Sequence, residues 1–165
     1  MLTMNMLLKK NLPVDLSDRE CKLSLTVQYA VEKADIPSRQ QFRKWVKAAL
    51  KKSAEIVIRI VDEPEGEILN RDFRGKNTAT NVLTFVYEDE APLLGDIVLC
   101  APVIYSEARQ HGKDLIAHYA HLTIHGVLHL QGHDHICDDD AIAMESLETK
   151  ILTRLGYPDP YIIQH

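Results

Sequence analysis

Glu55-Ile56-Val57-Ile58-Arg59-Ile60-Val61 is the run that decides the fold. In an extended chain Ile56, Ile58 and Ile60 share one face while Val57 and Val61 share the other, so the run is expected as a strand buried on both sides. Such a strand lies inside a sheet, and the flanking chain supplies its neighbours. Upstream, Leu23, Leu25 and Val27 alternate with Ser24, Thr26 and Gln28, the period-two pattern of a half-buried strand. Between the two strands Pro37 and Ser38 open a helix, Gln41 completes a capping box, and Phe42, Trp45, Val46, Ala49 and Leu50 recur at helical spacing. The other face of that helix carries Arg39, Arg43, Lys44, Lys47, Lys51 and Lys52 with no acid among them.

Downstream, Glu65 to Phe73 reads as a short helix ended near Gly75, and Val82 to Tyr87 and Asp96 to Cys100 read as strands. Pro102 to Gln110 follows as a helix with Gly112 at its end. Asp114 to Leu130 is one long apolar helix stopped by Gly132, and a last helix runs from about Asp138 to Leu155, stopped by Gly156 and Pro158. The order is strand, helix, strand, helix, two strands, three helices. It predicts an α+β fold, a small mixed β-sheet packed with helices and joined by β-α-β connections on its N-terminal side. No repeat, low-complexity tract or Gly/Ser linker separates a second unit, so residues 1–165 are expected as a single domain.

Composition narrows the class further. With 165 residues, 45% of them hydrophobic and 26% charged, the chain has enough apolar surface for a core without cross-links, which excludes intrinsic disorder and a disulfide scaffold. Cys21, Cys100 and Cys137 form no C-x-x-C pair, as expected of a reducing compartment, and a cytoplasmic protein is anticipated. The apolar start, Met1 to Leu8, precedes Lys9 and Lys10, the reverse of a secretory signal, and no later stretch reaches the roughly 20 apolar residues of a membrane span. A formal net charge of −5 excludes a uniformly basic nucleic-acid wrapper but leaves a local basic patch open.

Seven of the eight histidines fall between His111 and His135. At about 100° per residue, His118, His121, His125 and His129 form one stripe on the long helix. They cannot all bind one ion. His125 and His129 are separated by one helical turn, Gly132 lets the chain leave the helix in a left-handed conformation, and His135 follows close enough to fold back. The spacing H-x3-H-x2-G-x2-H predicts a three-histidine site, with His133 the competing third ligand, in which neutral imidazoles leave a fourth zinc position open as catalytic sites do. His118 and His121 are expected as satisfied core groups or as support around the ligands, and His111 as a helix-end residue. The spacing also resembles that of the metzincin metalloproteases, but those carry a glutamate base directly after the first histidine and this chain has Gly126.

The run His125-Gly126-Val127-Leu128-His129-Leu130-Gln131-Gly132-His133-Asp134-His135 closely resembles the H-G-x-L-H-L-x-G-Y-D-H signature of the YbeY endoribonucleases. Leu69-Asn70-Arg71-Asp72-Phe73-Arg74-Gly75-Lys76 and Thr80-Asn81-Val82-Leu83-Thr84-Phe85 resemble two further blocks of that family. Leu93 to Ile97 and Met144 to Tyr157 agree as well, so the resemblance spans about Glu55 to Tyr161 and is weak over residues 1–20. It implies cleavage of single-stranded RNA in ribosomal RNA maturation, especially at the small-subunit 3′ end, and in ribosome quality control. It also implies one zinc ion per chain on His125, His129 and His135, an essential arginine at Arg74, and the ribosome with its proteins or GTPases as partners, with neither membrane nor DNA expected. Here His133 stands where tyrosine is common, Thr84 replaces serine, and Asn77 and Ala79 replace aspartate and proline.

A physical case runs beside the resemblance. Arg74 is suited to a two-pronged clamp on phosphate oxygens, and Arg71, Lys76 and the basic helix face to an electrostatic track, though that face also fits an ordinary solvated helix. Asp138 to Asp140 are expected as the cap and first turn of the last helix, Asp134 as a carboxylate orienting a ligand, and Cys137 as buried rather than ligating. Thr80, Asn81 and Asp96 fit turn or cleft positions equally. Two rival functions remain at this level, a metzincin-like metalloprotease and a non-catalytic ribosome assembly factor with a structural zinc.

Overall fold

Strand β2 (Ala54–Val61) buries Ile56, Ile58 and Ile60 completely on one face, and the sheet assembles around it. Strand β1 (Leu23–Tyr29) pairs with it in parallel on one side and β4 (Leu93–Cys100) in parallel on the other, while β3 (Val82–Glu88) closes the sheet antiparallel to β4. The spatial order is β1-β2-β4-β3. Among the described residues five helices accompany the sheet: α1 (Arg39–Ala49), α2 (Glu63–Arg74), α3 (Ala101–Gln110), α4 (Leu115–Leu130) and α5 (Asp138–Arg154). The computed structural model describes residues 21–32, 34–74, 80–133 and 137–162, without the side chains of Phe73 and Arg74. Within them the element order and the α+β class agree with the sequence reading.

The main core lies between one face of the sheet and helices α1, α4 and α5. Phe42 and Trp45 of α1, Ile56 and Ile58 of β2, Leu128 of α4 and Leu152 of α5 belong to one buried cluster. Each large side chain removed from water there contributes about 1.5–3 kcal/mol. Helix α1 starts where expected because Ser38 and Gln41 satisfy each other's backbone N–H groups, at 3.2 and 2.9 Å. The edge-to-face contact of Phe42 with Tyr119, at a centroid separation of 6.4 Å, then packs it onto α4.

The opposite face departs from expectation. Val61, Leu83, Val98 and Cys100 form a second, smaller cluster covered by Leu69 of α2 and Val103 of α3, so β2 is buried on both sides only near its C-terminal end. Farther back, where this smaller cluster does not extend, Val57 and Arg59 stay half exposed. Arg59 instead forms a two-pronged pair with Glu65 at 2.6 and 2.8 Å, tying β2 to α2. Strand β4 also starts three residues earlier than the sequence suggests. Gly95 weakens a strand reading, yet a Cβ there would lie 2.8 Å from Leu130 Cδ2: α4 occupies the space that the missing side chain leaves.

A second close approach sits beneath the histidines. A Cβ on Gly126 would lie 3.2 Å from Ile97 Cγ2 and 3.4 Å from Thr84 Cγ2, so α4 rests almost backbone-to-sheet at this residue. The glutamate base of a metzincin would have to push aside the Ile97 and Thr84 methyls at this position. Gly126→Glu is expected to lower stability by about 3 kcal/mol or more, from overpacking and an unpaired buried charge. Urea unfolding checks this, and an unchanged midpoint would contradict the packing described.

Candidate metal centre

Helix α4 begins at a side-chain cap, Asp114 accepting from the Ala117 N–H at 3.0 Å, and its histidines form a continuous row on one flank. Neighbouring rings in the row His118, His121, His125 and His129 are 6.4, 6.3 and 4.6 Å apart between centroids. Their surroundings divide them. His118 is buried and its Nε2–H faces Glu107 of α3 at 3.1 Å, a carboxylate that also accepts from Asn81 Nδ2 at 3.1 Å. His121 Nε2 lies 2.6 Å from Glu148 Oε2, and His125 Nδ1 lies 2.6 Å from Glu148 Oε1. His118 is thus a core group paired through Nε2 alone, its buried Nδ1 meeting no hydrogen-bond partner among the described residues, and His121 stands in the support around His125.

Glu148 is fully buried on α5. Burial alone would raise its pKa, but hydrogen bonds from His121, His125 and Tyr161 outweigh that and hold it at about 2. Tyr161 O–H closes the set with a short hydrogen bond to Oε2, and burial followed by the Glu148 charge raises the phenol's own pKa. The carboxylate is therefore an acceptor only, and the protons it receives belong to the two imidazoles and the phenol.

The structure brings His125 and His129 together on adjacent turns at the C-terminal end of α4. Past Gln131 the chain leaves the helix through Gly132 at φ +94°, and the His133 N–H returns to Leu128 O at 3.0 Å. This is the turn that the glycine predicted. His135 and Asp134 lie outside the described residues, as do Gly75, Lys76 and the Arg74 side chain, although Arg74 itself closes α2. The donor set fits a borderline divalent ion: two imidazoles one turn apart, one with Nδ1 engaged by a buried carboxylate, as histidine ligands commonly are.

Other sequence expectations resolve individually. Cys137 is exposed rather than buried, because it precedes α5 as its N-cap residue, and Asp138 to Asp140 fill the first turn alone. Asn81 binds Glu107 and Asp96 accepts from Tyr87 O–H at 2.8 Å, so both have structural partners. Arg39 donates to Val27 O at 3.3 Å, Arg43 to Leu23 O at 3.5 Å and Lys52 to Asp89 O at 2.7 Å, so part of the basic face is spent on neighbouring backbone. Its C-terminal end nevertheless joins the end of the histidine-bearing helix. Gln131 accepts from the Lys51 N–H at 2.7 Å and donates to Ala49 O at 2.8 Å, tying the end of α1 to the end of α4.

Sequence reasoning assigned no role to Glu148 or Tyr161. The signal for Glu148 was present: it shares its helical face with Met144, Ile151 and Leu152, and an acid inside an apolar stripe has to be paired. Tyr161 carried no such signal, since it follows the last helix in a segment without periodicity.

The burial of His118 has a measurable consequence. Burial lowers its pKa below the ordinary 6.5, against the raising contact with Glu107, with His121 and Lys113 lowering it further. Its neutral form belongs to the folded state, so the stability it contributes is complete above that ordinary value and is lost as pH falls below it toward the lowered one. Between about pH 7.5 and about pH 5.5 the thermal midpoint should fall less in His118→Gln than in the parent. Equal slopes in both proteins would remove His118 from the account.

Comparisons with known proteins bear on the family of the chain. A family model described as endoribonuclease YbeY matches residues 26–156. The endoribonuclease YbeY of Nitrosomonas europaea is 74% identical over 163 residues, covering 99% of this chain and 99% of that protein. That of Nitrosospira multiformis is 60% identical over 158 residues, covering 87% of this chain and 84% of its own. The solution structure of TM1509 from Thermotoga maritima matches with a TM-score of 0.54 at 21% identity, covering 84% of this chain and 99% of that one, and bears on the fold alone. With the family model spanning most of the chain and relatives this similar over nearly its whole length, the protein belongs to the endoribonuclease YbeY family.

Proposed function

We propose that this protein is a zinc-dependent endoribonuclease that cleaves single-stranded RNA during ribosomal RNA maturation, at the small-subunit 3′ end, and in ribosome quality control. The observation that carries the activity is the near full-length, 74% identity to a relative named as that enzyme. The metal part rests on His125 and His129, with His135 as third ligand and one ion per chain. Zinc, when bound, supplies Lewis-acid stabilisation of the charge that develops on a phosphodiester.

The chain's own residues divide the remaining work. Arg74, at the end of α2, is assigned to phosphate oxygens, where a guanidinium binds in two-pronged fashion. Single-stranded substrate is guided along the cations at the end of α1, a helix end that the Gln131 bridge ties to the end of α4. Because the whole molecule carries a net charge of −5, tight non-specific RNA binding is not expected, and recruitment falls to the ribosome and its proteins or GTPases. Among the described residues no helix is long and apolar enough to cross a membrane, in keeping with the proposed cytoplasmic location. The proteolytic alternative loses its base at Gly126, where a side chain would press on Ile97 and Thr84 of the sheet.

The test is cleavage of a single-stranded ribosomal RNA fragment by the zinc-loaded protein, with His125→Ala prepared identically and casein in parallel. RNA cleavage is expected to fall at least about 100-fold in the variant, with zinc lost from elemental analysis and casein intact. Cleavage persisting in His125→Ala would remove the metal mechanism, and inert RNA in the parent would favour an assembly factor with a structural zinc. For Arg74→Ala, cleavage should fall by about 100-fold while zinc content and the unfolding midpoint stay unchanged. Zinc lost along with activity would mark Arg74 as structural instead.

A further inference from the structure

A neutral imidazole carries one N–H, and the nitrogen that holds it has no lone pair to give a metal. At His125 the choice is made by Glu148. Nδ1 lies 2.6 Å from Glu148 Oε1, and an ionised carboxylate only accepts, so the proton sits on Nδ1 and the lone pair on Nε2. We propose that Glu148 is the positioning residue of the metal centre, selecting the His125 tautomer that presents Nε2 to the ion, with Tyr161 and His121 holding the carboxylate in place. The proposal rests on the reading of His125 as a ligand and extends the site to α5 and the segment after it.

The arrangement is held from three sides. Glu148 Oε2 accepts from His121 Nε2 at 2.6 Å and from Tyr161 O–H, which leaves the carboxylate little freedom to rotate away from His125. Tyr161 is itself fastened. Its N–H donates to Asp159 Oδ1 at 2.9 Å, Thr149 Oγ1 of α5 donates to the same oxygen at 3.3 Å, and its ring stands edge-on to His121 with centroids 5.4 Å apart. Lys113 Nζ donates to Pro160 O at 2.9 Å, pinning the segment beside the start of α4. A carboxylate placed only to join α5 to α4 would bond either ring nitrogen of either histidine. The predicted dependence on one nitrogen of His125 separates positioning from mere attachment.

The experiment uses the full-length, zinc-loaded protein. In 15N-histidine NMR spectra His125 should show a protonated Nδ1 with zinc at Nε2, and zinc at Nδ1 would overturn the proposal. In competition with a chromophoric chelator, Glu148→Gln should bind zinc about 10–100-fold more weakly than the parent, as loss of a carboxylate behind a histidine ligand does elsewhere. Tyr161→Phe should weaken binding in the same direction by a smaller factor. Met144→Ala, which loosens α5 packing without touching the network, should leave the zinc affinity unchanged. Unaltered affinity in Glu148→Gln overturns the proposal, and if that variant does not fold, unaltered affinity in Tyr161→Phe does so. A parent that takes up no zinc defeats the metal reading itself, whereas a zinc-binding parent with an indifferent Glu148 defeats this inference alone.

Discussion

Helix α4 has to be buried and has to carry polar rings at the same time, and much of the structure follows from reconciling the two. Its apolar residues face the sheet and α1, with Gly126 and Gly95 removing the side chains that would hold helix and strand apart. Once the helix is pressed so closely to β4 and β3, its histidine flank can turn only toward α3 and α5. Those two helices each supply one acid to meet it, Glu107 at His118 and Glu148 at His121 and His125.

The two acids act in different electrostatic settings. Glu107 is half exposed and shared with Asn81, so it does not overcome the effect of burial on His118, which favours the neutral ring. Glu148 is fully buried, and an ionised carboxylate there would cost several kcal/mol without partners. Three donors overturn that cost and hold it ionised. A charge maintained in the core beside a row of imidazoles is a rigid acceptor. That rigidity suits a site in which ring orientation and tautomer both matter.

The placement of the row also bears on what can reach it. The Gln131 bridge ties the backbone at the basic end of α1 to the end of α4, the helix that carries the histidine row, although the chain is acidic as a whole. Local charge rather than net charge governs how a polyanion approaches a cleft. Membership of the endoribonuclease YbeY family and this local geometry therefore point the same way, while the bulk charge limits unspecific capture of nucleic acid.

How much of this the sequence determined depends on the range of the interactions concerned. The capping box at Ser38 and Gln41, the alternation in β1, the turn at Gly132 and the alignment of four histidines on α4 are set by residues within a few positions of one another, and each was legible. The β4 boundary was misread at Gly95, since a glycine's tolerance in a strand depends on what fills its missing side chain, here Leu130 from a distant helix. The exposure of Cys137 and the half-open face of β2 depended likewise on what packs nearby. The ligand pair was visible in spacing alone, whereas the partner of its first histidine was not. Glu148 and Tyr161 lie far along the chain from His125 and meet it only because α5 folds back on α4. The sequence by itself determined the elements and the row of imidazoles, because local periodicity and capping encode them. Only the tertiary structure decided which carboxylate faces which nitrogen, because that choice is made by packing between helices whose contacts leave no local trace.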